Sequence, residues 1–197
     1  MKIIYYKRLI ADKFGLTASE RIVYSFMLSR AILSIDDIFW SDGETINVDV
    51  LEECTNMNDG YIDLQDDWFD ELSKPCCINK IARLTNIAPS AVLYSFRTLD
   101  SKRLIRLERK EIYLGDIWRG GYFELLMDKH KKLRGELLIF YSWIYDNSKI
   151  VKHCLNTSVE RIAEKFNTNK PAMRDLIHRL HRLGLAERLE DGKLLIK

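Results

Sequence analysis

Asn169, Lys170, Arg174 and His178 follow one another at spacings of one, four and four residues. On an α-helix those spacings gather them near the N-terminal end and on one side. Met173, Leu176, Ile177 and Leu180 take the opposite, buried face, so the polar set points away from the core. Asn and Arg each offer paired hydrogen bonds, Asn to adenine and Arg to guanine, and Lys suits a phosphate or a guanine. The chemistry these side chains can do is therefore recognition of base edges. Arg179, Arg182 and Arg188 add cations suited to phosphate oxygens, and Lys193 stands near the tip of a following hairpin.

A weaker copy of the same pattern lies earlier in the chain. There Ser90, Leu93, Tyr94 and Arg97 share a helix face, and Arg103, Arg106, Arg109 and Lys110 crowd the hairpin after it. Leu93 and Tyr94 are apolar for a groove reader and suit packing against the insertion or a partner equally well. The densest basic run is Lys129-His130-Lys131-Lys132-Leu133-Arg134, placed to cross a phosphate backbone between the two copies. His178 and His181 have the i, i+3 spacing of metal ligands, but no acidic or cysteine ligand stands beside them in sequence, so no metal and no cofactor is expected. Cys54, Cys76, Cys77 and Cys154 include no C-x-x-C pair and read as reduced thiols. No nucleophile elbow, phosphate loop or zinc-protease motif occurs. The chain is expected not to be an enzyme.

These residues are positioned by an internal repeat. Ile81-Ala82-Arg83-Leu84-Thr85-Asn86 overlies Ile162-Ala163-Glu164-Lys165-Phe166-Asn167 at an offset of 81, and Leu99 then meets Leu180. Upstream, an offset of 117 sets Tyr24-Ser25-Phe26 over Tyr141-Ser142-Trp143. The offsets differ by 36 residues, which places an insertion between the first and second helices of the first copy. Apolar periodicity and stop signals predict helices over 17–34, 78–85 and 89–102, then strands over 104–107 and 111–114. The second copy predicts helices over 135–147, 158–166 and 170–183, then strands over 185–189 and 193–197 around Asp191-Gly192, a two-residue turn signal. Helix, helix, turn, helix and closing hairpin is the winged helix-turn-helix plan. The fold class expected is α+β, mostly α, with two such domains in tandem: residues 1–119, with an acidic insertion at about 35–74, and residues 134–197. A helical connector over 120–133 is expected to join them.

Charge is unevenly spread. Net charge is only +2, yet residues 35–74 carry −12 and the remainder +14. A basic body suits double-stranded DNA, and the acidic segment offers a second copy or a basic protein partner a place to bind. No stretch of about 18 apolar residues exists, so no membrane span is expected, and the first residues turn basic too early for a signal peptide. A cytoplasmic location follows.

Residues 16–34, LTASERIVYSFMLSRAILS, resemble the first helix of plasmid-type replication initiator N-terminal domains. Trp40-Ser41-Asp42-Gly43-Glu44 and Ile46-Asn47-Val48 are similar to the short hairpin of that family. The resemblance covers about the first 115 residues. It implies winged helices that bind repeated DNA sites at an origin, although residues 52–74 here intervene before the second helix. The expected function is sequence-specific DNA binding, in transcription regulation or in initiating replication of a mobile element. A protein-interaction adaptor that uses the same modules without DNA is the alternative.

Overall fold

The computed structural model describes residues 3–10, 14–33, 59–64, 75–115, 117, 121–127, 133–148, 154–155, 157–189 and 193–197. The fold is mixed, mostly helical, with three small antiparallel sheets among the described residues. The first unit comprises β1 (Ile4–Tyr6), α1 (Ala18–Leu33), β2 (Tyr61–Asp63), α2 (Pro75–Thr85), α3 (Pro89–Ser101), β3 (Ile105–Arg106) and β4 (Glu111–Tyr113). The second comprises β5 (Tyr122–Glu124), α4 (Gly135–Ser148), β6 (Cys154–Leu155), α5 (Val159–Lys165), α6 (Lys170–Arg182), β7 (Ala186–Arg188) and β8 (Leu194–Ile196).

The repeat seen in sequence extends to the backbone. Each unit has a three-stranded sheet whose last strand lies in the middle, in the orders β2-β4-β3 and β6-β8-β7. In each, the first strand comes from between the first two helices. Asn86 and Asn167 take matching left-handed conformations, φ 54° and 47°, at the ends of α2 and α5. The amides of Ile87 and Thr168 then bond back to Ala82 and Ala163, which closes each helix with a six-to-one cap and starts the tight turn into the next. The ends of α3 and α6 agree in the same way. Leu104 and Leu185 donate to the carbonyls of Leu99 and Leu180, through left-handed Arg103 and Gly184.

The central helices are apolar nearly all round, the mark of a helix enclosed on every side. Residues 22–29 of α1 and 137–144 of α4 are buried throughout. The start of α1 is a reciprocal capping box. Thr17 N donates to Glu20 Oε2 at 2.7 Å, and Glu20 N donates to Thr17 Oγ1 at 3.3 Å. Tyr24 of α1 donates its hydroxyl to the carbonyl of Tyr113, and Tyr141 of α4 donates to that of Lys197 at 2.8 Å. Each central helix is thus tied to the end of its own sheet.

Three expectations are corrected. The connector is not helical at residues 122–124: these form β5, antiparallel to β1, with Tyr5 opposite Phe123. Residues 128–132, which hold most of the basic run, lie outside the described residues. The acidic segment is not all insertion, because residues 61–63 supply β2, paired to β4 with Ile62 opposite Ile112; the rest of it, bar 59–64, lies outside the described residues, as do the expected hairpin at 40–48 and the turn at Asp191-Gly192. The second helix starts at Pro75, three residues early.

The β1–β5 pairing joins the units into one apolar core. Tyr5 and Phe123, each placed shortly before its own unit's first helix, stack with ring centroids 5.1 Å apart. A methyl added to Gly135, the first residue of α4, would lie 3.7 Å from that of Ala18, the first residue of α1. Ala18 and Gly135, which match at the offset of 117, therefore meet each other. Arg21 of α1, 5% exposed, reaches across to Glu136 of α4 and also donates to the carbonyls of Leu9 and Ile10.

Candidate nucleic-acid interface

α6 is held by its apolar side. Met173 and Leu180 are fully buried, and Leu176 and Ile177 are packed against the core. With those positions fixed, a helix of this length must turn Arg174, His178 and Arg182 outward, and all three are exposed. Arg188 is exposed on β7, the strand that follows. Arg174, His178, His181 and Arg188 line one open cleft of about 370 Å³ between α5, α6 and the sheet, over an apolar floor that includes Val159, Ile162 and Leu194. The cleft thus has an apolar base and a rim of two arginines and two histidines built from two elements. His181, which sequence reading set aside, belongs to this rim, with Nδ1 3.2 Å from the carbonyl of Ala186. Its i, i+3 relation to His178 was the only signal for it.

The other expected residues are placed differently. Asn169 is the N-cap of α6, and its side-chain oxygen accepts from Ala172 N at 2.8 Å. With its oxygen engaged by the cap, Asn169 can offer adenine a paired contact only through that oxygen's second lone pair and its amide N–H. Lys170 pairs with Glu160 of α5, and its ammonium holds the Glu160 carboxyl below the usual range. Both groups are exposed enough for a phosphate to compete for Lys170. Arg179 faces a second cleft of about 370 Å³, shared with Ile10, Arg21, Glu136 and the turn at Asn167 and Thr168. It lies 3.8 Å from Asp175 one turn earlier. Arg179 therefore stands toward the first unit, apart from the Arg174 cleft. Lys193 is half-buried, and its carbonyl accepts from Leu189 N at 2.9 Å.

In the first unit Ser90, Leu93, Tyr94 and Arg97 are all exposed along α3. Arg103, Arg109 and Lys110 are exposed at the end of α3 and in the turn between β3 and β4. Arg106 is turned instead onto the sheet, its guanidinium 3.6 Å from the Tyr61 ring centroid and 2.8 Å from Glu111. Arg134 is exposed just before α4.

Among the described residues no group of three or more His, Cys, Asp or Glu is placed to hold a metal ion. No described helix is long and apolar enough to cross a membrane. Compared with protein families, curated proteins and solved structures, the chain matches none.

Proposed function

We propose that both units are winged helix-turn-helix modules and that the chain binds double-stranded DNA in a sequence-specific way, with α6 as a reading helix. The observation that carries this is the convergence of Arg174, His178 and Arg188 on one open face, from a helix and from the hairpin beside it. A helix of this width fits the major groove, and a hairpin next to it reaches the backbone. Arg174 is then the base reader, because it sits in the exposed N-terminal half of the helix and its guanidinium suits guanine O6 and N7. His178 lies one turn further along the same face. Arg188 and Arg182 take phosphates, and Lys170 joins them by exchanging Glu160 for the DNA backbone. The process served is transcription regulation or the start of replication of a mobile element.

Salt titration of binding to a site selected from random DNA tests this reading. Affinity should fall linearly on logarithmic axes as phosphate contacts release counterions. Arg174→Ala should cost about 1–3 kcal/mol and relax preference at one base position, whereas Arg188→Ala should weaken all sequences alike and lower the salt slope by about 1. Binding that ignores salt, or an Arg174 variant with unaltered preference at every base, would show that α6 does not read DNA.

A further inference from the structure

α3 and α6 are the same length, and an offset of 81 brings them into register residue by residue. Val92 and Met173 are both fully buried, and so are Leu99 and Leu180. Leu93 therefore occupies in the first unit the place that Arg174 holds in the second, and Tyr94 follows it. Neither is in the core: Leu93 is 39% and Tyr94 65% exposed. Only five large hydrophobic residues are exposed among the described ones, so two neighbours at the reading position call for an explanation.

Their surroundings select among occupants. Arg97, one turn along the same helix, is exposed, as are Arg83 on α2 and Arg103 and Arg109 around the end of the unit. Among the described residues of α2, α3 and the hairpin turn, the acidic ones are Asp100, which accepts weakly from Leu107 N at 3.4 Å, and Glu108. A second copy presenting the same face would set these cations against each other. A polyanion meets them favourably, and the apolar pair then faces the base edges. The one apolar group that bases display in the major groove is the 5-methyl of thymine. Resting on the reading of this chain as a DNA binder, we propose that Leu93 and Tyr94 recognise thymine by contact with that methyl. The first unit then reads a thymine-bearing half of the site, and the second reads the half touched by Arg174.

Replacing thymine by deoxyuridine removes the methyl and leaves every hydrogen-bonding group in place. With the full-length chain and a site selected from random DNA, each contacted thymine so replaced should weaken binding about fourfold, the worth of one buried methyl group. The sensitive positions should lie apart from the base position that Arg174→Ala relaxes. Leu93→Ala, at an exposed position, should keep its circular dichroism spectrum and lose part of the preference for thymine over uracil, and adding Tyr94→Ala should make the two sites bind equally. A selected site indifferent to uracil at every position overturns the inference and leaves the DNA reading intact, as does a Leu93→Ala chain that keeps full sensitivity. If Leu93→Ala leaves DNA affinity unchanged and dissociates a self-associated species in sedimentation, the face is a protein interface and the inference is wrong. Failure to enrich any DNA sequence removes the DNA reading itself, and this inference with it.

Discussion

Arg103 shows how the repeat constrains single residues. It stands at φ 56° where the second unit has Gly184 at 71°. The six-to-one cap that ends α3 and α6 needs a left-handed residue there, whatever its side chain. An L-residue in that region costs roughly 1–2 kcal/mol, and glycine gives back part of the gain through its freer unfolded chain. Arg103→Gly should therefore stabilise the protein by up to about 1 kcal/mol, with the Tyr61 hydroxyl still bonded to the carbonyl at 103. Gly184→Ala should destabilise it by about the same amount, because an added methyl there meets nothing within 4 Å and only backbone strain remains. Urea unfolding midpoints at constant slope measure both. A loss of stability in Arg103→Gly would mean that the arginine side chain makes contacts worth more than the strain it carries.

Helix starts carry the same lesson at the scale of elements. α6 has Asn169 as a side-chain cap, while α3 begins after Ala88, which has an extended backbone and no side chain able to cap. Ala88→Asn should raise stability by about 1 kcal/mol and Asn169→Ala should lower it by about as much. Thermal unfolding gives both values, and a DNA titration of the Asn169 variant adds a decision. Affinity that falls beyond the stability change would show that Asn169 reads a base as well as capping the helix. Sequence alone could not make that distinction, because asparagine is both a favoured cap and the residue that pairs with adenine. The long helices were legible, since Leu99 with Leu180 and Val92 with Met173 recur at one offset with helical spacing. β2 and β6 were not, because strands of two or three residues hold too little alternation to count. β5 was misread for a different reason. The stretch after Tyr122 is rich in Glu, Leu, Met and Lys, all good helix formers, and only pairing with β1, far away in sequence, makes residues 122–124 extended. The exposed cleft was half legible: helical spacing placed Arg174 and His178 on one face, but Arg188 joins them only through the packing of the sheet on the helix.

At the scale of the whole molecule the question is whether two repeated units behave as two domains. The expected helical connector would have let them unfold separately, whereas the structure gives them a shared ribbon and a shared core. Phe123 sits at the centre of that junction, 2% exposed, stacked on Tyr5 and one residue from the strand's end. Its amide and carbonyl belong to the second unit's strand, yet its ring is buried against the first. Phe123→Ala should cost about 3–5 kcal/mol, the range for truncating a buried aromatic ring. The location of the loss decides between one cooperative body and two. Native-state hydrogen exchange reads local stability amide by amide, and α3 and α6 lie in different units, both remote from residue 123 in sequence. If the units unfold together, protection in the buried parts of α3 and α6 should fall by the same amount as global stability. The ion pair between Arg21 and Glu136 also spans the two units, and separating them would break it. Exchange that rises only in β1, β5 and the first turns of α1 and α4, with α3 and α6 unchanged, would show instead that each unit keeps its own stability and that the ribbon is a detachable contact.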